Sequence, residues 1–245
     1  MKKSTVLLLF FIVLWSCSSP VDCIEASGIM IKKEYNLTDF DKIIVHTGIA
    51  LVLTEGPEFK IEVETSSNLI DNIEISVNNG LLTLRDNTTC NWVRRYGKTT
   101  LFVTAPNITE LHSKTEKTIS SNGILHFPIL RLISMDLTDG AGTGDFNIQA
   151  DNGQIVIENN NVSRFYVSGK TNELLVNFYD GNGRFIGDNL MSKSIKIFHR
   201  GSNDMIVRPI ESVSGKMVST GNLILKNTPP IVNVEELYQG RVIYE

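Results

Sequence analysis

The 245-residue sequence has little of what usually announces a function. Three cysteines are too few for a disulfide-stapled miniprotein. Its 23 basic residues are outnumbered by 27 acidic ones and form no polybasic run, which argues against a nucleic-acid partner held through phosphate contacts. Beyond residue 25 helix-period patterns are almost absent, and no stretch there approaches the run of about 18 apolar residues that marks a membrane helix. Gly-x-Ser-x-Gly, His-Glu-x-x-His and Cys-x-x-Cys are all missing, and His46, His112, His126 and His199 show no ligand spacing. The sequence therefore assigns no catalytic residue, no metal ligand and no cofactor. What remains is 42% hydrophobic and 20% charged, enough for a buried core and unlike a disordered polymer.

The N-terminus carries an address. Met1-Lys2-Lys3 precedes the apolar run from Val6 to Trp15. Ten residues at about 1.5 Å each span half of a bilayer core of about 30 Å, so the run reads as an export signal and not as a membrane span. Leu14-Trp15-Ser16-Cys17 resembles the lipobox of bacterial lipoproteins, with Trp15 bulkier than the usual residue. The resemblance implies cleavage before Cys17, lipidation of its thiol and acylation of the new amine, and several acyl chains give stable anchoring in a membrane. Residues 1–16 are then signal peptide and 17–37 a lipidated tether, and the mature chain carries 21 basic and 27 acidic residues. Ser18 stands where family members retained at the inner membrane commonly carry Asp, which favours the outer membrane. An exported compartment permits a disulfide between Cys23 and Cys90, and leaving both unpaired is equally compatible with the sequence.

Short alternating runs rich in Val, Ile, Leu and Thr fill the rest, bounded by Gly, Asn and Asp, and predict a nearly all-β protein. Strands are expected at 42–46, 50–54, 60–64, 74–77 and 81–84, with a tight turn at Asn79-Gly80 and a short helical turn within 68–72. The second half repeats. Phe146, Phe165, Phe185, Met205, Leu223 and Val242 recur at steps of 19, 20, 20, 18 and 19 residues, interleaved with Ile155, Leu174, Ile195, Val213 and Val232. Two strand series sharing one period near twenty are what a parallel β-solenoid requires, with turns stacked about 4.8 Å apart. The Phe146 column is then interior. The column before it, Asp145, Arg164, Arg184, Asp204, Asn222 and Arg241, faces outward with some opposite charges on neighbouring rungs. The column after it also faces outward, and Tyr166, Ile186, Ile206, Ile224 and Ile243 form an apolar stripe expected to be an interface, for a homo-oligomer or another partner.

Several segments together resemble the putative auto-transporter adhesin family (head GIN domain), lipoproteins and secreted proteins mainly of Bacteroidetes-type bacteria. These are Phe40 with Ile44-Val45, the run Gly48 to Leu53, Glu55-Gly56, Ile61 to Glu64, Asn79 to Leu84, Leu101 to Pro106 and the Gly-turn rungs ending at Gly240 to Tyr244. The resemblance covers most of residues 38–245, which form the head domain, with repeats clearest in 142–245. It implies a solenoid fold and an envelope location more than an activity. The family's Ser-Gly-Ser-Gly corners have drifted here to Asp139-Gly140-Ala141-Gly142, Asp180-Gly181-Asn182-Gly183 and Arg200-Gly201-Ser202-Asn203.

The expected function is that of a non-catalytic, lipid-anchored envelope protein presenting a β-solenoid surface for adhesion or envelope protein interactions. The alternative is a glycan-binding or glycan-cleaving β-helix, for which Asp180, Asp188, His199 and Arg200 are candidate groove residues. A third reading is a periplasmic scaffold. Asp180 to Gly183 could begin an acidic calcium loop, but Arg184-Phe185 supplies no further oxygen ligands.

Overall fold

A computed structural model describes residues 28–88, 99–136 and 142–245. The chain is nearly all β, with 65% of it in strands, wound as a parallel β-solenoid of about six turns. The short N-terminal strands are β1 (Met30–Tyr35), β2 (Lys42–His46), β3 (Ile49–Glu55), β4 (Lys60–Ser66), β5 (Ile73–Asn78), β6 (Leu81–Asp86), β7 (Thr99–Ala105), β8 (Glu110–Lys114), β9 (Ile119–Leu125) and β10 (Ile129–Ser134). Four long strands follow: β11 (Phe146–Asn159), β12 (Arg164–Phe178), β13 (Arg184–His199) and β14 (Met205–Met217). Short strands close the coil, β15 (Leu223–Leu225), β16 (Ile231–Glu236) and β17 (Val242–Tyr244).

Each long strand bends once, so its first half lies in one wall of the coil and its second half in the other. Phe146, Phe165, Phe185, Met205, Leu223 and Val242 are mutual register partners in the first wall. Ile155, Leu174, Ile195, Val213 and Val232 are partners in the second. Both periodic series therefore describe real ladders, with the steps read from the sequence. From Phe146 to Leu223 the first column is fully buried. The ring of Phe165 stacks on Phe146 at 4.8 Å between centroids and meets Phe178 of the opposite wall at 6.1 Å. Those contacts are the core: two inward ladders facing each other across a narrow interior.

The strand halves are joined through a corner that only glycine fits at some rungs. Gly169 has φ +109°, and a Cβ there would lie 2.0 Å from the carbonyl oxygen of Ala150 on the rung below. At Asn79-Gly80, φ values of 50° and 78° make the two-residue turn of the β5–β6 hairpin, as the sequence predicts. The helical turn expected within 68–72 is a single 3-10 turn, Ile70–Asn72.

The N-terminal half joins the same coil but not in chain order. Strands β2 and β3 pair with β6 and β7 on one side and with β8 and β9 on the other, so the first rung lies between the second and the third. Antiparallel strands then close that end, β4 and β1 beyond β7, and β5 beyond β6. Residues 30–35 fall in the segment read from sequence as tether, yet they form β1. Lys32 and Lys60 bridge it to Glu62 and Glu34 at 2.8 Å each, so charges line the terminal edge and discourage further strand addition.

Candidate functional site

The outer surface of the first wall is regular except where two bulges interrupt it. Asn147 pairs with Ser120 and Gln149 with Ile124, so Ser121, Asn122 and Gly123 of β9 oppose Ile148 alone. Gly123 supplies the left-handed φ of +91° that this bulge needs. In β13, Ile186 pairs with Ile206 and Met191 with Arg208, so residues 187–190 oppose Val207 alone. Strands β11 and β12 run between the two bulges. The result is a trough of about 310 Å³ with Ser120 and Ser121 on one bank, Asp188 and Asn189 on the other, and Asn147, Gln149, Tyr166 and Ser168 along its floor.

At the β9 bulge a backbone group turns to a side chain, and at the β13 bulge two side chains bond each other. The Gln149 N–H donates to Ser121 Oγ at 2.9 Å, and Asn189 Nδ2 donates to Asp188 at 3.2 Å. Amides and hydroxyls, with one tyrosine and one carboxylate, make a surface suited to a hydroxyl-rich ligand.

Tyr166 and Ile186 also border a second hollow of about 520 Å³, completed by Val162, Arg164, Asn182, Arg184 and Asn203. The apolar stripe passes between the two hollows. Its members are register partners in the predicted order, and it faces outward: Tyr166 and Ile243 are 38% and 37% exposed, and Ile186, Ile206 and Ile224 are partly covered by one another's ladder neighbours.

The adjacent charged column lies on the same outer face. Its members are exposed or half-buried, as an outer column should be, and no ion pair joins them among the described residues. Arg164 has Arg184 as its register partner, and Asp204 accepts hydrogen bonds from the backbone and side chain of Asn222 instead. Arg241 donates to the carbonyls of Tyr238 and Gly240 and lies 3.7 Å from Glu236.

The proposed hydrolytic residues are not assembled as a unit. Asp188 stands on the trough bank, Asp180 and Arg200 sit at the stacked corners between strands, and His199 is buried at the end of β13, edge-on to Phe178 at 6.0 Å. His199 Nδ1 accepts the Gly201 N–H at 3.3 Å, and burial pushes its pKa down to about 4, with Asp204 and the Asn203 backbone opposing the shift weakly. That makes it a neutral core residue at neutral pH. Cys17, Cys23 and Cys90 lie outside the described residues. Sequence reasoning missed the trough, because a bulge shows only as a few extra polar residues between ladder positions; Gly123 and Gly187 were its faint signal.

Among the described residues no helix is long and apolar enough to cross a membrane. Residues 39–229 match the protein family described as putative auto-transporter adhesin, head GIN domain. Among solved structures, the fold is similar to a putative adhesin from Bacteroides fragilis, at a TM-score of 0.80 and 17% identity, covering 90% of this chain and 100% of that one. A putative lipid binding protein from Parabacteroides distasonis matches at 0.61 and 14% identity over 88% and 97% of the two chains. A putative adhesin from Parabacteroides merdae matches at 0.53 and 16% identity over 89% and 97%. No curated protein matches the chain.

Proposed function

Because the chain belongs to the family of putative auto-transporter adhesins with a head GIN domain, we propose that it is a non-catalytic, lipid-anchored adhesin of the cell envelope, held in the outer membrane through Cys17. In this reading the solenoid is a rigid spacer and the outer surface of its first wall is the adhesive face. The observation that carries it is the joining of a polar trough and an apolar stripe on one exposed face of an otherwise regular coil.

Cell fractionation tests the anchor. Cys17→Ser should release the protein from the membrane fraction, and whole-cell adhesion should fall with it. Retention of Cys17→Ser in the membrane, cleaved as before, would refute the anchor. Surface proteolysis of intact cells checks the orientation: protection of the head domain would make it a periplasmic scaffold.

The trough's hydroxyl and amide lining beside Tyr166 favours a glycan among ligands. Cleavage is not part of the proposal, since the described lining offers the single carboxylate Asp188, whereas glycoside hydrolysis ordinarily uses two.

A further inference from the structure

Building on the adhesive face just proposed, the geometry points to an anion subsite in which Arg164 and Arg184 together hold the acidic group of an anionic polysaccharide, with Tyr166 beside them under the adjoining sugar. Two like charges set directly opposite on neighbouring strands repel each other, and the separation of their backbones is about 4.8 Å. Several basic side chains elsewhere on the surface do have partners. Lys32, Lys60, Arg131, Lys216 and Lys226 all reach carboxylates, and Arg241, in the same column as the pair, has both a carboxylate and two carbonyls. Neither the Arg164 nor the Arg184 guanidinium has an ion-pair or hydrogen-bond partner among the described residues, and both are exposed at the hollow of about 520 Å³. A bound anion would relieve the repulsion and use the guanidinium forks, whose planar donors match a carboxylate or a sulfate.

The neighbouring groups specify more than charge. Arg164 and Tyr166 project from the same side of β12, and Arg184 and Ile186 from the same side of β13, about 7 Å apart along each strand. Four side chains thus frame a patch about the size of one sugar ring. Asn182 accepts from Ser202 at 2.5 Å through Oδ1, and its carbonyl accepts from Asn203 at 2.6 Å, which holds the corner of the hollow in place. Beyond Tyr166 and Ile186 the surface continues directly into the trough, where Ser168, Asn147, Gln149 and Asn189 present hydroxyl and amide groups. An acidic peptide fits less well: the wall's backbone groups are committed to ladders on both sides, so a peptide could not add as a strand. A uronate carboxylate and a sugar sulfate share the required chemistry.

The test uses the full chain and calorimetric titration with polygalacturonate, dextran sulfate, uncharged dextran and polyglutamate. Binding to polygalacturonate or to dextran sulfate is expected, and the preference between them distinguishes carboxylate from sulfate. Arg164→Ala with Arg184→Ala should weaken binding about tenfold or more. Arg164→Lys with Arg184→Lys should restore part of it, and Arg241→Ala should leave it unchanged. Unaltered affinity in the double alanine variant, equal binding of dextran, or equally tight binding of polyglutamate would each overturn the assignment. Circular dichroism checks that the variants are folded. Cells carrying the double variant that adhere normally, while cells lacking the chain do not, would remove this subsite and leave the adhesive role standing. Equal adhesion by cells lacking the chain would instead remove the adhesive role, without touching polysaccharide binding by the purified protein.

Discussion

Replacing Phe165 by Ala probes the interior ladder most directly. The side chain is fully buried, stacked nearly parallel on Phe146 at 4.8 Å and tilted against Phe178 at 6.1 Å. Truncating a buried phenylalanine costs about 3–5 kcal/mol, and the loss of aromatic contacts places this site at about 4 kcal/mol or above. With a urea slope of about 2.5 kcal/mol per molar, the unfolding midpoint should fall by about 1.5 M. Phe165→Leu keeps most of the apolar volume, as Leu223 does at its own rung, and should cost about 1.5 kcal/mol. Arg184→Ala, one position before the core column on the next rung, should cost less than about 0.5 kcal/mol, because that side chain is exposed and makes no protein contact that the fold needs. Equilibrium urea denaturation followed by far-ultraviolet circular dichroism reads all three, with an unchanged slope marking a change in stability alone. Equal losses for Phe165→Ala and Arg184→Ala, or a loss below about 1 kcal/mol for Phe165→Ala, would refute the inside-outside register.

His199 gives a pH signature. Its folded pKa of about 4 lies below an unfolded value of about 6.5, so the unfolded chain takes up the proton first as pH falls. Its contribution is therefore intact above pH about 6.5 and is lost progressively toward pH about 4, up to about 3 kcal/mol. His199→Asn should lower stability at pH 7 and flatten the pH dependence in that window. Urea midpoints taken at half-unit pH intervals measure it, and an unchanged profile would contradict a buried neutral imidazole. Ile206→Lys with Ile224→Lys alters the outward stripe and, if the stripe joins copies of the chain, should leave a folded chain whose mass by light scattering is lower than that of the unaltered protein. Unfolding would show those positions to be core, and an unchanged mass would remove the stripe as a self-association surface.

What could be read from the sequence was set by where the coil is regular. In residues 146–245 each rung places one apolar residue at the same point of the pleat, from Phe146 to Val242, so a period of 18 to 20 residues is visible without any alignment. Upstream, β2 to β6 were legible from alternation, and β2 begins and ends where the pattern does. Their stacking was not. With β2 and β3 lying between β6–β7 and β8–β9, spatial neighbours are not sequence neighbours, and the antiparallel excursion through β4 and β5 breaks the period. Strand β1 was hidden for another reason. Met-Ile-Lys-Lys-Glu-Tyr carries the charges of an edge strand rather than an apolar alternation, and such charges read as tether.

The candidate site was illegible for a related reason. Periodicity identifies positions that must be alike, and a binding surface is made where rungs differ. Outward positions of a solenoid are free of the packing that enforces the inward ladder, so Tyr166 can stand in a column of isoleucines and Arg164 can face Arg184 while the fold remains the same. Bulges extend that freedom to the backbone. The extra residues in β9 and β13 raise banks on either side of β11 and β12 while Phe146, Phe165 and Phe185 stay in register beneath them. The proposed adhesive face should therefore be exchangeable without loss of fold, and its specificity should be sought in residues 120–123 and 187–190 and in the arginine pair rather than in the repeat itself.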